Sequence, residues 1–383
     1  MKRVLLRGPA LTQSGYGVHC RQVARWLLSK KNIDLSVQAL PWGITPWHLN
    51  TDDKLTLDIM QRCRPVEPSY DVTFQVQLPN EWDASLGRYN VGITAGVETD
   101  RCNPAWIPAC SAMNRVIVPS SHTMSSFQHY GKIDNMSIIP ESFPDSLLSP
   151  TNEVLFDLDT DFNLLVFGQI TGNNPENDRK NIYHTVRMLC DVFADNSNVG
   201  IVIKTNSGKS TKIDRHVTRN MLGQLINQVR RGPYPKFHFL HGTLSDSEIT
   251  SLYTHPKINA LVTLTRGEGF GLPILEAAAS GLPVIATNWS AYLDFMNKGK
   301  FISIDYSLGK IHPSRCDPNI FMADAQWAMP VEDDFKDKIK KFYKKHDKPQ
   351  EWAQELSTVI KEEYSFEAIA SAYDSNFDQI LGA

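Results

Sequence analysis

Two glutamates with seven residues between them stand in TRGEGFGLPILEAAASGLPVIATNWSA, residues 265–291. Gly267, Gly269 and Gly271 surround the first of them, Glu268, and let the backbone come close to a ligand. Pro273 suits the opening position of a helix, so the amides of Phe270, Gly271 and Leu272 are expected at a helix N-terminus, where they welcome an anion or a sugar hydroxyl. On the turn, Glu268 would face the reacting end of an extended ligand. Glu276, one turn inside the helix, could bridge two vicinal hydroxyls, because an ionised carboxylate accepts from two donors at once. The plainer account has Glu268 capping the turn and Glu276 balancing the helix dipole. Small residues from Ala277 to Gly281 allow that helix to lie close to a sheet.

Other chemistry-bearing residues say less. Asp157-Leu158-Asp159 has the form of a metal-binding acidic pair but falls in a stretch that reads as solvated loop. His238 and His241 project from opposite faces of a strand and are too few for a metal cage. Cys20, Cys63, Cys102, Cys110, Cys190 and Cys316 form no CxxC pair and read as free thiols. No metal is implied. Gly15-Tyr16-Gly17 is followed by Cys20 where a dinucleotide fingerprint needs a third glycine, and Asp34 starts the second strand where an acid should close it, which argues against a nicotinamide cofactor.

These residues need a scaffold. Short β-branched runs alternate with helical patterns throughout, the signature of parallel α/β architecture. The expected strands are 4–6, 35–40, 72–76, 91–94, 116–118 and 137–139, with helices over Gly17–Leu28 and Ser121–His129. A second series covers 164–167, 200–204, 237–240, 260–264 and 284–286. Between them Pro140–Asp161, with three prolines and no clean period, reads as a linker. The expected division is therefore 1–147 and 148–364, two Rossmann-like doubly wound domains. Phe366, Ile369, Tyr373, Phe377 and Leu381 mark a closing amphipathic helix, 365–383, that needs a partner surface. The lysine-rich run 335–348 reads as a solvated helix face.

With 383 residues, 42% apolar and 21% charged, the chain has material for about two full cores. Disorder, collagen and coiled coil are excluded. The opening MKRVLLRGPALTQ lacks the h-region and cleavage site of a signal peptide, and a cytoplasmic protein without a transmembrane segment is expected. A balance of 39 basic against 42 acidic residues argues against a generic polyanion binder.

The string around Glu268 and Glu276 resembles the C-terminal motif of the retaining GT-B glycosyltransferases of family 4. SGYGVHCRQVARWLL, ETDRCNPAW, VPSSHTMSSF, LVFGQ and the RKN of residues 179–181 have counterparts there as well. The resemblance implies two Rossmann-like domains facing a central cleft, with the last helix returning to the first domain. It implies a nucleotide-sugar co-substrate, a UDP-sugar, and no further cofactor. Glu276 would hold the donor ribose, Glu268 the transferred sugar, and the amides of Phe270, Gly271 and Leu272 the diphosphate and sugar. Lys180 would neutralise the leaving diphosphate. Many members carry an arginine directly after the strand glycine. Here Gln169 follows Gly168, and Arg179 is the compensating cation. Gly15 and Gly17 match the glycine loop beneath the donor phosphates, and Glu98 stands where many members have a catalytic histidine. The sequence alone leaves a loop acid or an exposed helix-start base as the alternatives for Glu98 and Lys180.

The acceptor is a separate question. Lys2, Arg3, Arg7, Arg21, Arg25, Lys30 and Lys31 all precede the first acid, Asp34, and Arg21 and Arg25 in particular could steer a phosphate-rich acceptor. LLRGPALTQSGYGVH with PWGITPW also resembles glycosyltransferases of tailed phages, some of which decorate hydroxymethylated bases in DNA; that origin would place the protein in the host cytoplasm. The favoured expectation is therefore transfer to such a base. The alternatives are a cell-envelope glycan or lipid acceptor, and a nucleotide-sugar-binding protein without transferase activity.

Overall fold

A computed structural model describes residues 1–67, 69–149, 156–172 and 174–382. The chain forms two units, Met1–Ser142 with Pro318–Ile320 and the chain from Phe366 on, and Phe143–Asp317 with Phe321–Ser365.

The first unit holds β1 (Lys2–Gly8), α1 (Gly15–Leu28), β2 (Ile33–Ala39), α2 (Lys54–Gln61), β3 (Tyr70–Val76), β4 (Gly87–Ile93), α3 (Trp106–Ala112), β5 (Arg115–Val118), α4 (Ser121–Gln128) and β6 (Met136–Ile138). Its parallel sheet runs β2-β1-β3-β4-β5-β6. The chain reverses its winding between β1 and β3, so the C-terminal ends of those strands form the crevice where such sheets take ligands. The glycine motif lies there, but as the first turn of α1 rather than a loop before it: Ser14 caps the helix by accepting from the Gly17 amide at 2.9 Å. A Cβ at Gly17 would sit 2.2 Å from the Thr12 carbonyl oxygen, so only glycine fits.

The second unit contains β7 (Phe162–Phe167), α5 (Ile182–Val192), β8 (Val199–Thr205), α6 (Lys212–Val229), β9 (Lys236–His241), α7 (Asp246–Tyr253), β10 (Ile258–Thr263), α8 (Leu272–Ser280), β11 (Val284–Thr287), α9 (Leu293–Met296) and β12 (Ile302–Ile304). An antiparallel hairpin, β13 (Tyr306–Lys310) and β14 (Gln326–Pro330), follows, then α10 (Glu332–Lys344) and α11 (Asp347–Glu363). The parallel sheet runs β12-β11-β10-β7-β8-β9, the Rossmann order, and its winding reverses between β7 and β10. Its inner strands are buried on both sides and read as near-continuous apolar runs, whereas the edge strand β9 is half-buried throughout. Leu165, Val202 and Leu261 enter one core with α7, α8 and α11, while Leu164, Val166, Ile201, Ile203 and Val262 enter the other with α5, α6 and α10.

Two expectations are corrected here, and one element is new. Phe143, Leu147 and Leu158 are buried in the core beneath α8, so much of the supposed linker is packed protein; its residues 150–155, Pro150 included, lie outside the described residues. Helix α8 starts at Leu272, which puts Pro273 at the second helical position. The hairpin β13–β14 had no sequence signal of alternation strong enough to mark it. The closing helix, α12 (Phe366–Leu381), packs Ile369, Tyr373, Phe377 and Leu381 into the core of the first unit. Tyr373 stacks on Trp26 with ring centroids 4.8 Å apart, and the Trp26 indole N–H donates to Asp374 at 2.6 Å.

Candidate active site

The winding reversal of the second sheet brings two loops side by side, the one after β7 that carries Arg179 and Lys180 and the one after β10 that carries Glu268. The first loop is pinned before its cations can be used. Asp178 accepts from Thr171 N and Oγ1 at 2.9 and 2.8 Å and from the Ile182 amide at 2.8 Å. Asn181, in the left-handed region with φ 56°, donates from its side chain to the Leu264 carbonyl at 3.1 Å. The Arg266 amide donates to the Arg179 carbonyl at 2.8 Å.

On this frame Lys180 Nζ lies 2.7 and 2.9 Å from the two carboxylate oxygens of Glu268. Arg179 Nη1 donates to the same carboxylate at 3.1 Å and to the Gly267 carbonyl at 2.7 Å. Burial alone would raise the Glu268 carboxyl, but the two cations overcome it and hold the group down at about 2. Glu268 is also fixed through its backbone, its amide donating to Ser290 Oγ at 3.0 Å. Ser290 pays for that position with φ 94°, rare for a residue with a side chain.

Gly271, at φ 101°, caps α8 in a conformation that favours glycine and turns the chain into the helix. The helix start carries the positive end of the dipole. Pro273 has no N–H there, and the Ile274 and Leu275 amides donate to the Gly271 carbonyl at 2.9 and 3.1 Å, so the amides offered to a ligand are those of Gly271 and Leu272. Phe270 itself is core, packed on Phe295 at 5.6 Å, so its contribution to a ligand is its backbone. Glu276 is half-buried on α8 and accepts from the Tyr253 hydroxyl at 2.9 Å. Burial pushes its carboxyl up to about 7 against the opposing effect of that hydrogen bond.

Sequence reasoning missed Lys204, at the end of β8. It is 4% exposed, donates to the Gly242 carbonyl at 2.6 Å, and lies over the Phe167 ring at 5.5 Å. Burial lowers its ammonium to about 8. Phe167 in turn stacks on Tyr253, the partner of Glu276. The available signal was a lysine interrupting GIVIKT, a strand otherwise fit for burial on both faces. Ser290 and Tyr253 carried no comparable mark.

The remaining expected residues are placed as follows. Gln169 is exposed just beyond β7 and makes no cation there, whereas Arg179 does join Glu268. Gly15, Gly17 and Glu98 lie in the first unit, where the Tyr16 hydroxyl, 2.9 Å from Thr94 Oγ1, ties α1 to the loop that carries Glu98. Arg21 and Arg25, expected at the acceptor, both have partners within the first unit. Arg21 donates to the carbonyls of Ala10 and Thr12 at 3.0 and 2.8 Å, and Arg25 lies 3.7 Å over the Phe366 ring. Their neighbours are engaged as well: Arg7 with Gln38 and Gln77, and Lys30 with Asp374 and Asp378. Asp159 pairs with Lys236 and lies near His238, His241 meets Ser207, and Leu158 between the two aspartates is core.

Residues 218–307 match the family model described as glycosyl transferases group 1, a segment that includes Glu268, α8 and Ser290. No curated protein matches the chain at a significant level. Among solved structures, the chain is similar to a sucrose-phosphate synthase from Thermosynechococcus elongatus, with TM-score 0.66, 13% identity and all of both chains covered. It is also similar to an α,α-trehalose 6-phosphate synthase from Burkholderia multivorans, with TM-score 0.63, 8% identity, and 100% and 97% of the two chains covered. WaaG, a glycosyltransferase involved in lipopolysaccharide biosynthesis, aligns with TM-score 0.55 and 11% identity over 97% of this chain and 99% of its own. No helix among the described residues is long and apolar enough to cross a membrane. The fold is that of the GT-B glycosyltransferases, and the segment that carries Glu268 and α8 matches glycosyl transferases group 1.

Proposed function

We propose that the protein is a retaining glycosyltransferase that moves a sugar from a UDP-sugar to an acceptor hydroxyl. The observation that carries this reading is the Lys180–Glu268–Arg179 cluster at the switch point, beside the Gly271 and Leu272 amides at the start of α8. One carboxylate between two cations leaves a net positive charge where a diphosphate would lie. Breaking the glycosidic bond places additional negative charge on that diphosphate, so Lys180 and Arg179 would stabilise the leaving group more than the bound donor. Glu276, its position fixed by Tyr253, would accept from the two ribose hydroxyls. Glu268 would both aim Lys180 and meet a hydroxyl of the transferred sugar. The acceptor hydroxyl would attack on the face from which the diphosphate leaves and pass its proton to the departing phosphate oxygen, a course that needs no nucleophile behind the anomeric carbon.

For the acceptor, the hydroxymethylated base loses its support, because Arg21 and Arg25 are spent inside the first unit. A hydroxyl of an envelope glycan or lipid is the acceptor we propose instead. Incubation with a panel of labelled nucleotide sugars and mixed acceptors, with the product anomer read by NMR, tests the whole reading. Expected is consumption of a UDP-sugar with an α-linked product from an α-linked donor. Donor binding without consumption, or an inverted product, would overturn it, and transfer to DNA carrying 5-hydroxymethylcytosine would restore the base as acceptor.

A further inference from the structure

Beside Glu268 the ends of two neighbouring strands carry an aromatic pair. Trp289 follows β11, and Tyr306 opens β13 two residues after β12 ends. The Asn288 amide donates to the Ile304 carbonyl at 2.8 Å, which draws those strand ends together and leaves the two rings with centroids 6.4 Å apart and planes at 44°. Both stay within reach of solvent, Trp289 half-buried and Tyr306 36% exposed. The loop that holds Trp289 is tightly bonded. The Trp289 amide donates to the Thr287 carbonyl at 2.8 Å, and Ser290, at φ 94°, keeps its hydroxyl on the Glu268 amide at 3.0 Å. Strain of that kind persists where it holds a site in place.

Tyr292 backs the pair and ties it to the site. Its hydroxyl donates to the Thr287 carbonyl, and a Cβ at Gly271 would meet Tyr292 Cβ at 3.3 Å, so the ring also supports the start of α8. Burial raises that hydroxyl far above its ordinary range, and the Glu268 carboxylate and, to a lesser degree, Tyr306 add to the rise, so both lie within its electrostatic reach.

The sheet order assigns an occupant. Along β12-β11-β10-β7-β8-β9, the ribose contact Glu276 leans through Tyr253 on Phe167 at the end of β7, and Lys180 and Glu268 take the middle, after β7 and β10. The aromatic pair lies on the other side of Glu268, over β11 and β12, at about 5 Å per strand. A nucleotide sugar laid along this edge with its nucleoside over β7 therefore ends with its sugar at the pair. The chemistry agrees. A sugar ring has hydroxyls at its rim and C–H bonds on its face; a carboxylate accepts from the first, and the negative face of an indole attracts the second. A lipid chain would gain nothing from the carboxylate. We propose that Trp289 and Tyr306 form the platform for the transferred sugar, and that this sugar is a pyranose laid with its apolar face on Trp289. The proposal rests on the transferase reading and adds to it the residues that select the sugar.

Titration calorimetry on the full chain with UDP, UDP-glucose, UDP-galactose and UDP-N-acetylglucosamine tests it. Trp289→Ala should weaken the best-bound UDP-sugar by about three- to tenfold and leave UDP unchanged. Tyr306→Ala should act in the same direction, and Trp289→Phe should restore most of the loss because it keeps an aromatic face. Equal weakening of UDP and UDP-sugar, or no weakening of either, would overturn the proposal alone. So would an unchanged donor affinity with a raised acceptor KM, which would make the pair an acceptor platform. A parent chain that binds none of the four would overturn the transferase reading, and the proposal with it.

Discussion

Glu268 ties up the two cations that a diphosphate would need. In Glu268→Gln, Lys180 and Arg179 are released, so UDP affinity is expected to hold or rise while turnover falls by about 10²-fold or more; titration calorimetry beside a turnover assay checks this, and weaker UDP binding would contradict it. Lys180→Ala should show the other pattern, with kcat down about 10²-fold and a smaller loss in donor affinity. Equal losses would make Lys180 a binding residue only. The ion pairs of Glu268 contribute stability that is complete above its unfolded value of 4.5 and is lost as pH falls toward about 2. Glu276 behaves in the opposite sense. Its folded value of about 7 lies above the unfolded 4.5, so its burial costs stability as pH rises through that window. Glu276→Gln should therefore raise Tm more at pH 8 than at pH 5. Because the ribose contact needs the ionised form, UDP affinity of the parent should drop between pH 8 and pH 6, and the Gln variant should flatten that profile.

At the scale of elements, the sequence was most legible where one physical cause acts. Apolar β-branched runs revealed the strands of the first sheet and all of the second but β12, because buried parallel strands demand them, and Gly-Pro chemistry located the start of α8 to within a residue. It was least legible where the cause is distant. Counting charges in the first 31 residues suggested a basic face, yet Arg25 meets the ring of Phe366 and Lys30 meets Asp374 and Asp378, all on α12 at the other end of the chain. The linker assignment failed for a related reason: Phe143, Leu147 and Leu158 follow no period because they fill gaps under α8 rather than form a face. The hairpin β13–β14 was missed since QWAMP lacks β-branched residues and YSLGK is mostly exposed. Helix α12 was legible as amphipathic, and its anchoring is testable. Phe377 is fully buried and meets Phe74 edge-on at 5.3 Å, so Phe377→Ala should cost about 3–5 kcal/mol in the unfolding of the first unit, measured by denaturant titration.

For the molecule, the division into units is not a division of the chain. The first unit draws its core from residues before Ser142 and after Phe366. A chain ending at Ser365 should therefore lose the first unit's tertiary structure while the second keeps its own. Near-UV circular dichroism and limited proteolysis would read this as early cleavage before Ser142 with a resistant fragment beginning near Phe143. Intact resistance of the first unit would show that α12 is dispensable.

The same arrangement sets an order for biosynthesis. Domains ordinarily fold from the N-terminus as the ribosome releases them. Here Trp26 must wait for Tyr373 and Asp374, which are made more than three hundred residues later, and closing so long a loop is slow. The second unit takes core side chains from α10 and α11, the last of them Ile360 on α11, and so can condense just before α12 is made. The first half of the polypeptide then spends most of translation with an unfinished core, which makes it the segment that a nascent-chain chaperone would be called upon to shield.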